Sequence, residues 1–125
     1  MLSDHRCYAT LPTANLDRLR RFYEGVLGFT PERVSPAGVY YRTGDGLFAI
    51  TRSDGRASGS HTQLAFLVPD LAAEVADLRA RGVRFEEYGL SGFTTVDGIA
   101  SIGTGRAAWF KDPAGNLVGI IQFDT

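Results

Sequence analysis

The chain has 125 residues, a formal net charge of −1 and 15 glycines, and 44% of its residues are hydrophobic. This length supplies the core of one domain, so we expect a single domain over residues 1–125 that needs no disulfide or structural metal. Acidic and basic residues are mixed along the chain, which excludes a strongly basic nucleic-acid or membrane surface. No stretch approaches the ~20 apolar residues of a membrane span. A single cysteine, Cys7, fits a reducing, cytoplasmic location.

The first half of the chain predicts a strand, a capped helix and a hairpin. A strand is expected over residues 7–11, and Asn15 follows at an N-cap position before apolar residues at helical spacing. Gly28 is suited to end that helix. Further strands are expected over residues 29–34, 39–42 and 47–51, the last two around an Asp-Gly turn.

The second half repeats this order after a polar, glycine-rich linker over residues 53–60. The caps Asn15 and Asp70 are 55 residues apart, and Gly82 ends the second helix. Strands are predicted over residues 63–68, 83–88, 106–111 and 117–123. The repeat favours an α+β fold of two similar modules, about 1–57 and 61–125, that extend a curved sheet around a pocket.

A long glycine-rich loop is predicted over residues 89–105. It contains the apolar residues Leu90, Phe93, Val96 and Ile99, which are unusual in a solvent-exposed loop that contacts no ligand or partner. We expect the loop to cover the pocket or to pack on a partner subunit.

Two motifs carry a family resemblance. Residues 15–29 read NLDRLRRFYEGVLGF and residues 109–117 read WFKDPAGNL. They resemble the opening helix and closing hairpin of the vicinal oxygen chelate superfamily, which includes glyoxalase I, extradiol dioxygenases, fosfomycin-resistance enzymes and bleomycin-resistance proteins. The resemblance implies two βαβββ modules forming a curved mixed sheet that encloses a pocket, often in a homodimer.

The resemblance also locates the metal-ligand positions of the family's enzymes. On this chain they fall on Tyr8, Ala49, Gln63 and Gly119, the last where the enzymes usually have Glu. Alanine and glycine carry no donor, and neutral tyrosine and glutamine are weak ligands. His61, two residues before Gln63, is the nearest alternative donor. We therefore expect no metal site and no cofactor.

The predicted pocket is aromatic. Trp109 and Gly119 lie at even spacing across the closing turn and are expected on one face, although a core role for Trp109 is equally compatible with the pattern. With Asp45 and Gly46 at the centre of the first hairpin, Tyr40 would pair with Thr51 and face inward, whereas a different turn register would reverse its face. The predicted ligand-binding residues are Tyr8, Tyr40, Gln63, Phe93 and Trp109.

Three functions fit this pattern. The favoured one is binding of a small aromatic or amphipathic molecule by a homodimer without metal, as resemblance to bleomycin-resistance proteins implies. The second is an enzyme of the same fold, a glyoxalase- or dioxygenase-type lyase, isomerase or oxidoreductase, either with a displaced metal or metal-free with Tyr8 as general acid or base. The third is a structural or regulatory dimer. No catalytic residue is assigned.

Overall fold

The computed structural model describes residues 1–90 and 92–124, with the side chain of Phe93 outside the description. The chain divides into two compact units, Met1–Ala57 and Ser58–Thr125. Each unit contains a four-stranded mixed sheet and one main helical segment in the order βαβββ. The predicted α+β fold of two such modules is confirmed.

The first unit begins with a 3₁₀ turn and ends with a hairpin. Its strands are β1 (Ala9–Thr13), β2 (Pro31–Ser35), β3 (Gly38–Thr43) and β4 (Gly46–Arg52), after a 3₁₀ turn over Leu2–Asp4. The sheet order is β1-β4-β3-β2, with β1 parallel to β4 and the other pairs antiparallel. The crossover from β1 is therefore made by the helical segment.

That helical segment starts where its cap was predicted. The Asn15 side chain accepts a hydrogen bond from the Arg18 amide at 3.0 Å, and helix α1 covers Leu16–Arg20. The chain then widens into a π-helix over Arg21–Val26. Gly28 has φ +82°, the left-handed conformation that commonly ends a helix.

Aromatic rings fill the space between this helix and the sheet. Tyr23 is fully buried and stacks on Tyr41 with ring centroids 6.0 Å apart, and its ring lies 5.4 Å from that of Phe48. Leu11 and Ile50 are also fully buried. Tyr41 and Phe48 therefore mark the helix-facing side of the first sheet.

A polar cluster joins the helix to this core. The Tyr41 hydroxyl donates to Glu24 Oε2 at 2.8 Å, and Arg20 donates to both Glu24 oxygens at 2.7 and 3.2 Å. The hydrogen bonds from Arg20 hold the pKa of Glu24 below its ordinary value of 4.5. Burial raises the pKa of Tyr41, so its hydroxyl remains a donor at neutral pH.

We expect Glu24→Gln to lower the free energy of unfolding by about 1 kcal/mol at neutral pH, a small value because the pair is partly exposed. Since the folded-state pKa of Glu24 lies below the unfolded-state value, its carboxylate stabilises the fold above about pH 4.5, and this contribution disappears as the pH falls through the folded-state value. Urea unfolding of both proteins from pH 3 to 8 measures the difference. A difference that stays constant below pH 4 would contradict an ionic origin.

The second unit repeats the plan with an added hairpin. Its elements are β5 (Thr62–Leu67), α2 (Leu71–Ala80), β6 (Gly89–Leu90), β7 (Phe93–Thr94), β8 (Ile99–Ser101), β9 (Gly105–Lys111) and β10 (Leu117–Phe123). The main sheet has the order β5-β10-β9-β8, and β6 pairs with β7 separately. The Asp70 side chain caps α2 by accepting from the Ala73 amide at 3.1 Å.

Two predictions for this unit are wrong. Residues 83–88 do not form a strand, because Phe85 makes only one isolated bridge, to Phe110. The predicted loop at 89–105 instead contains β6, β7 and β8, and β8 occupies the edge of β9. A strand requires a continuous partner, and residues 106–108 of β9 pair with β8 instead of with residues 83–88.

The helix of this unit covers one face of its sheet. Phe110 and Val118 are buried on that face, and the ring of Phe110 lies edge-to-face against Phe85, over which the Arg79 guanidinium sits at 5.5 Å. Gln122 Oε1 accepts from the Leu71 amide at 2.8 Å, which ties the start of α2 to β10. Trp109 and Gly119 alternate with these residues and lie on the opposite face.

No helix in residues 1–90 or 92–124 has the length and apolar character needed to cross a lipid bilayer.

Candidate functional site

In the first unit, Tyr40 lies on the sheet face away from the helix. Tyr40 pairs with Ala49, and Thr43 pairs with Gly46, so Gly44 and Asp45 are the central turn residues. The predicted pairing of Tyr40 with Thr51 is therefore wrong. The register differs by two residues, which preserves the side of the sheet, so Tyr40 still shares a face with Ala49.

Tyr8 and Tyr40 form an aromatic pair on this face. Their ring centroids are 5.5 Å apart at an angle of 69°, and their hydroxyl oxygens are 3.4 Å apart. Tyr8 remains 43% exposed. The hydrogen bond with Tyr40 raises the pKa of Tyr8, so the phenol stays protonated at neutral pH. A raised pKa is unfavourable for the hypothesis that Tyr8 acts as a general base.

In the second unit, Trp109 lies directly across from Gly119. The two residues are register partners on β9 and β10. A Cβ added to Gly119 would lie 3.3 Å from Trp109 Nε1 and 3.4 Å from Cδ1. The five-membered ring of the indole therefore covers the Gly119 backbone, in the space that a side chain would otherwise enter.

Two further residues contact the Trp109 indole. Trp109 Nε1 donates a hydrogen bond to Thr62 Oγ1 at 3.1 Å. Tyr88 lies edge-on to the indole, with centroids 5.7 Å apart at 84°. Nothing in the sequence pattern marked Thr62, and Tyr88 was placed in a strand that does not form. Their proximity to Trp109 depends on the tertiary structure.

Gln63 occupies a β-bulge beside this cluster. Leu117 pairs with Thr62 and Val118 pairs with Leu64, so Gln63 is the extra residue of β5. Its Oε1 is buried and has no hydrogen-bond partner among the residues that the structure describes. A buried acceptor without a hydrogen-bond donor destabilises the folded protein, and a bound ligand can provide that donor.

Phe93 lies in β7, and its side chain is outside the described part of the structure. The neighbouring Val96 is 73% exposed. The role of residues 89–105 as a cover for a pocket or a partner contact therefore stays a prediction.

The residues at the family's ligand positions do not fit a metal ion. Ala49 and Gly119 bring no donor atoms, and the indole of Trp109 fills the space beside Gly119 where a carboxylate would extend. His61 is exposed, and its Nδ1 lies 3.2 Å from Ser58 Oγ. Within residues 1–90 and 92–124, no three His, Cys, Asp or Glu side chains are grouped closely enough to hold a metal.

Comparison with known proteins gives one family and several similar folds. The sequence matches the model of the Glyoxalase/Bleomycin resistance protein/Dioxygenase superfamily over residues 6–120. The bleomycin-binding protein from bleomycin-producing Streptomyces verticillus, solved with copper(II)-bleomycin, is 22% identical with a TM-score of 0.74, covering 96% of this chain and 97% of that one. No protein of curated function matches.

Two other solved structures show the same fold. A glyoxalase/bleomycin resistance protein/dioxygenase from Alicyclobacillus acidocaldarius is 16% identical with a TM-score of 0.72, covering 98% of this chain and 93% of that one. TnmS3, an antibiotic binding protein from Streptomyces sp. CB03234, is 22% identical with a TM-score of 0.68, covering 96% of each chain.

Proposed function

Because the chain belongs to the Glyoxalase/Bleomycin resistance protein/Dioxygenase superfamily, we propose that it binds a small aromatic or amphipathic molecule without using a metal ion. The observation that carries the proposal is the Trp109 cluster, in which a partly exposed indole lies on the helix-free face of the second sheet with its N–H already bonded. Flat ligands bind such surfaces chiefly by removing apolar area from water.

The first unit offers a second aromatic surface. The pair of Tyr8 and Tyr40 presents ring edges and two hydroxyl groups on its own helix-free face. Aromatic rings supply stacking area, and hydroxyl groups orient a ligand by donating or accepting hydrogen bonds. The likeness to an antibiotic binding protein and to a bleomycin-binding protein makes antibiotics the first compounds to test.

A thermal-shift screen with flat aromatic natural products and with metal-free and copper(II)-loaded bleomycin tests the proposal. Binding to the native state raises the melting temperature, and the rise grows with the ligand excess over Kd. Trp109 is the only tryptophan, so quenching of its emission reports contact at the second unit directly. If no compound in the screen raises the melting temperature or quenches Trp109, the proposal is wrong.

Variants separate the two aromatic surfaces. Tyr8→Ala removes a ring from the first unit, Trp109→Ala removes the indole from the second, and Val34→Ala truncates an exposed apolar side chain on the helix-facing side of the first sheet as a control. The variant that removes a ring on which the ligand stacks is expected to bind about tenfold or more weakly, while the affinity of the control stays within about twofold of wild type. Equal losses in all three variants would indicate non-specific hydrophobic binding.

We expect Gln63→Leu to weaken ligand binding by about fivefold without lowering stability. The substitution removes a buried oxygen that has no hydrogen-bond partner among the described residues, which is close to neutral or stabilising for the free protein. In the complex, however, the same substitution removes the acceptor for a ligand hydrogen bond, so affinity falls. Melting temperatures and titrations of the same samples test both parts. A lower melting temperature with unchanged affinity would assign Gln63 a structural role instead.

We also propose that the protein acts as a homodimer in the cytoplasm. The family resemblance implies the dimer, and the exposed, free Cys7 suits a reducing compartment. Light scattering coupled to size-exclusion chromatography measures the molar mass, for which twice 13.5 kDa is expected and 13.5 kDa would contradict the dimer.

A further inference from the structure

The bulge at the start of β5 changes the direction of one side chain. In a regular strand, Thr62 would share a face with Leu64, which lies on the helix side of the sheet. The extra residue Gln63 breaks this alternation, and Thr62 pairs with Leu117 instead. Bulges commonly redirect a side chain in this way.

Contacts place the redirected side chain on the helix-free face. Thr62 Cγ2 lies 3.3 Å from the position of a Cβ on Gly119, and Thr62 Oγ1 is 3.1 Å from Trp109 Nε1. The methyl group and the hydroxyl group of Thr62 therefore border the same indole that Gly119 accommodates.

The Trp109 indole is thus held at several points. Its N–H is bonded to Thr62, its five-membered ring lies over Gly119, and its ring plane meets that of Tyr88 at 84°. A tryptophan side chain has one N–H donor and no acceptor, and here Thr62 accepts from that donor. A ligand acceptor would therefore compete with Thr62 for this N–H, whereas stacking on the π-system needs no hydrogen bond.

We propose that Thr62 is a positioning residue that fixes Trp109 for stacking, and that the ligand at this surface is a flat aromatic ring, preferably cationic, rather than a hydrogen-bond acceptor. The inference rests on the proposed binding function and specifies its ligand class. A positive charge near the face of tryptophan is favourable, and stacking on a fixed indole avoids the entropy cost of ordering it.

Two substitutions separate the hydrogen bond from the shape of Thr62. Thr62→Val keeps the volume and removes the acceptor, whereas Thr62→Ser keeps the acceptor and removes the methyl group. In the ligand-free protein, we expect Thr62→Val to increase the acrylamide quenching of Trp109 and to lower its fluorescence anisotropy, while Thr62→Ser restores values near wild type. Trp109 is the only emitting tryptophan, which makes both readouts specific.

Binding is then measured with 9-aminoacridine, a flat aromatic cation, and with cyclohexylamine as a saturated cation of no stacking area. We expect 9-aminoacridine to quench Trp109, with Kd about fivefold weaker in Thr62→Val and within about twofold of wild type in Thr62→Ser. Cyclohexylamine is expected to have no effect.

The outcomes distinguish the inference from the function on which it rests. Unchanged anisotropy, quenching and affinity in Thr62→Val would overturn the positioning role while leaving ligand binding intact. Wild-type protein that binds bleomycin or another screened compound but not 9-aminoacridine would overturn the ligand class. Wild-type protein that binds none of these compounds would overturn the proposed function, and the anisotropy of Thr62→Val would still test the positioning role.

Discussion

Asp112→Ala is expected to lower the free energy of unfolding by about 3 kcal/mol, because at least three donors, two of them in buried Asn116, lose the carboxylate that accepts their hydrogen bonds. Asp112 is 4% exposed, and its Oδ1 accepts from the amides of Ala114 at 2.9 Å and Asn116 at 3.0 Å. Its Oδ2 accepts from Asn116 Nδ2 at 2.8 Å. The carboxylate thus holds together the turn between β9 and β10.

Asp112→Asn is the matched control for this turn. One amide oxygen can replace Oδ1, so we expect a loss of about 1 kcal/mol. Urea unfolding, with an unchanged m-value, measures both variants. The turn also requires Gly115, whose φ of +87° favours glycine. A stable Asp112→Ala protein that fails to bind ligand would contradict this structural role for Asp112.

The features that depend on local sequence were predictable. Asn15 and Asp70 accept the amide hydrogen bonds expected of N-caps, because the caps involve residues only three positions away. Strand β10 has the predicted bounds, Leu117–Phe123. The family resemblance carried by residues 15–29 and 109–117 is confirmed by the match over residues 6–120.

The features that depend on distant partners were not predictable. Residues 83–88 were predicted to form a strand, but β8 pairs with residues 106–108 of β9, and Phe85 makes a single bridge to Phe110. The hairpin between β3 and β4 offers two possible turn centres, Gly44-Asp45 and Asp45-Gly46. Gly44 has a positive φ, and the strand pairing places the turn at Gly44-Asp45. Because the observed register differs from the predicted one by two residues, Tyr40 lies on the predicted face of the sheet.

The bulge in β5 had the largest consequence for the candidate site. Alignment with the family's motif selects Gln63, yet the extra residue in β5 places Thr62 against Trp109. Whether a strand contains a bulge depends on its pairing with β10, which is distant in the sequence. Thr62 and Tyr88 therefore emerge only from the folded structure.

Gly119→Glu is expected to destabilise the protein by about 3 kcal/mol, although it restores the residue usual among the family's enzymes. A Cβ at this position would already lie 3.3 Å from Thr62 Cγ2 and from Trp109 Nε1. The remaining atoms of a glutamate side chain must displace the indole or bury a carboxylate beside it. We expect exposure of Trp109 and red-shifted emission together with the lower stability.

The double variant Trp109→Ala, Gly119→Glu tests the cause of this loss. Removing the indole opens space for the glutamate, so the two substitutions together should cost at least about 1 kcal/mol less than the sum of the single changes, as expected for residues in direct contact. Additive losses would show that steric conflict with Trp109 is not the cause. The double variant Trp109→Phe, Gly119→Glu keeps a smaller ring. We expect its departure from additivity to lie between zero and that of Trp109→Ala, Gly119→Glu.

Zn²⁺ or Mn²⁺ is expected to leave the melting temperature unchanged in the single variant Gly119→Glu and in both double variants. One carboxylate is too few for a stable site, and Tyr8, Ala49 and Gln63 stand at the other family positions without a strong donor. Calorimetric titration with each ion measures this directly. Saturable binding that raises the melting temperature of Gly119→Glu would mean that donors outside these positions complete a site, and it would weaken the case for metal-free stacking on Trp109.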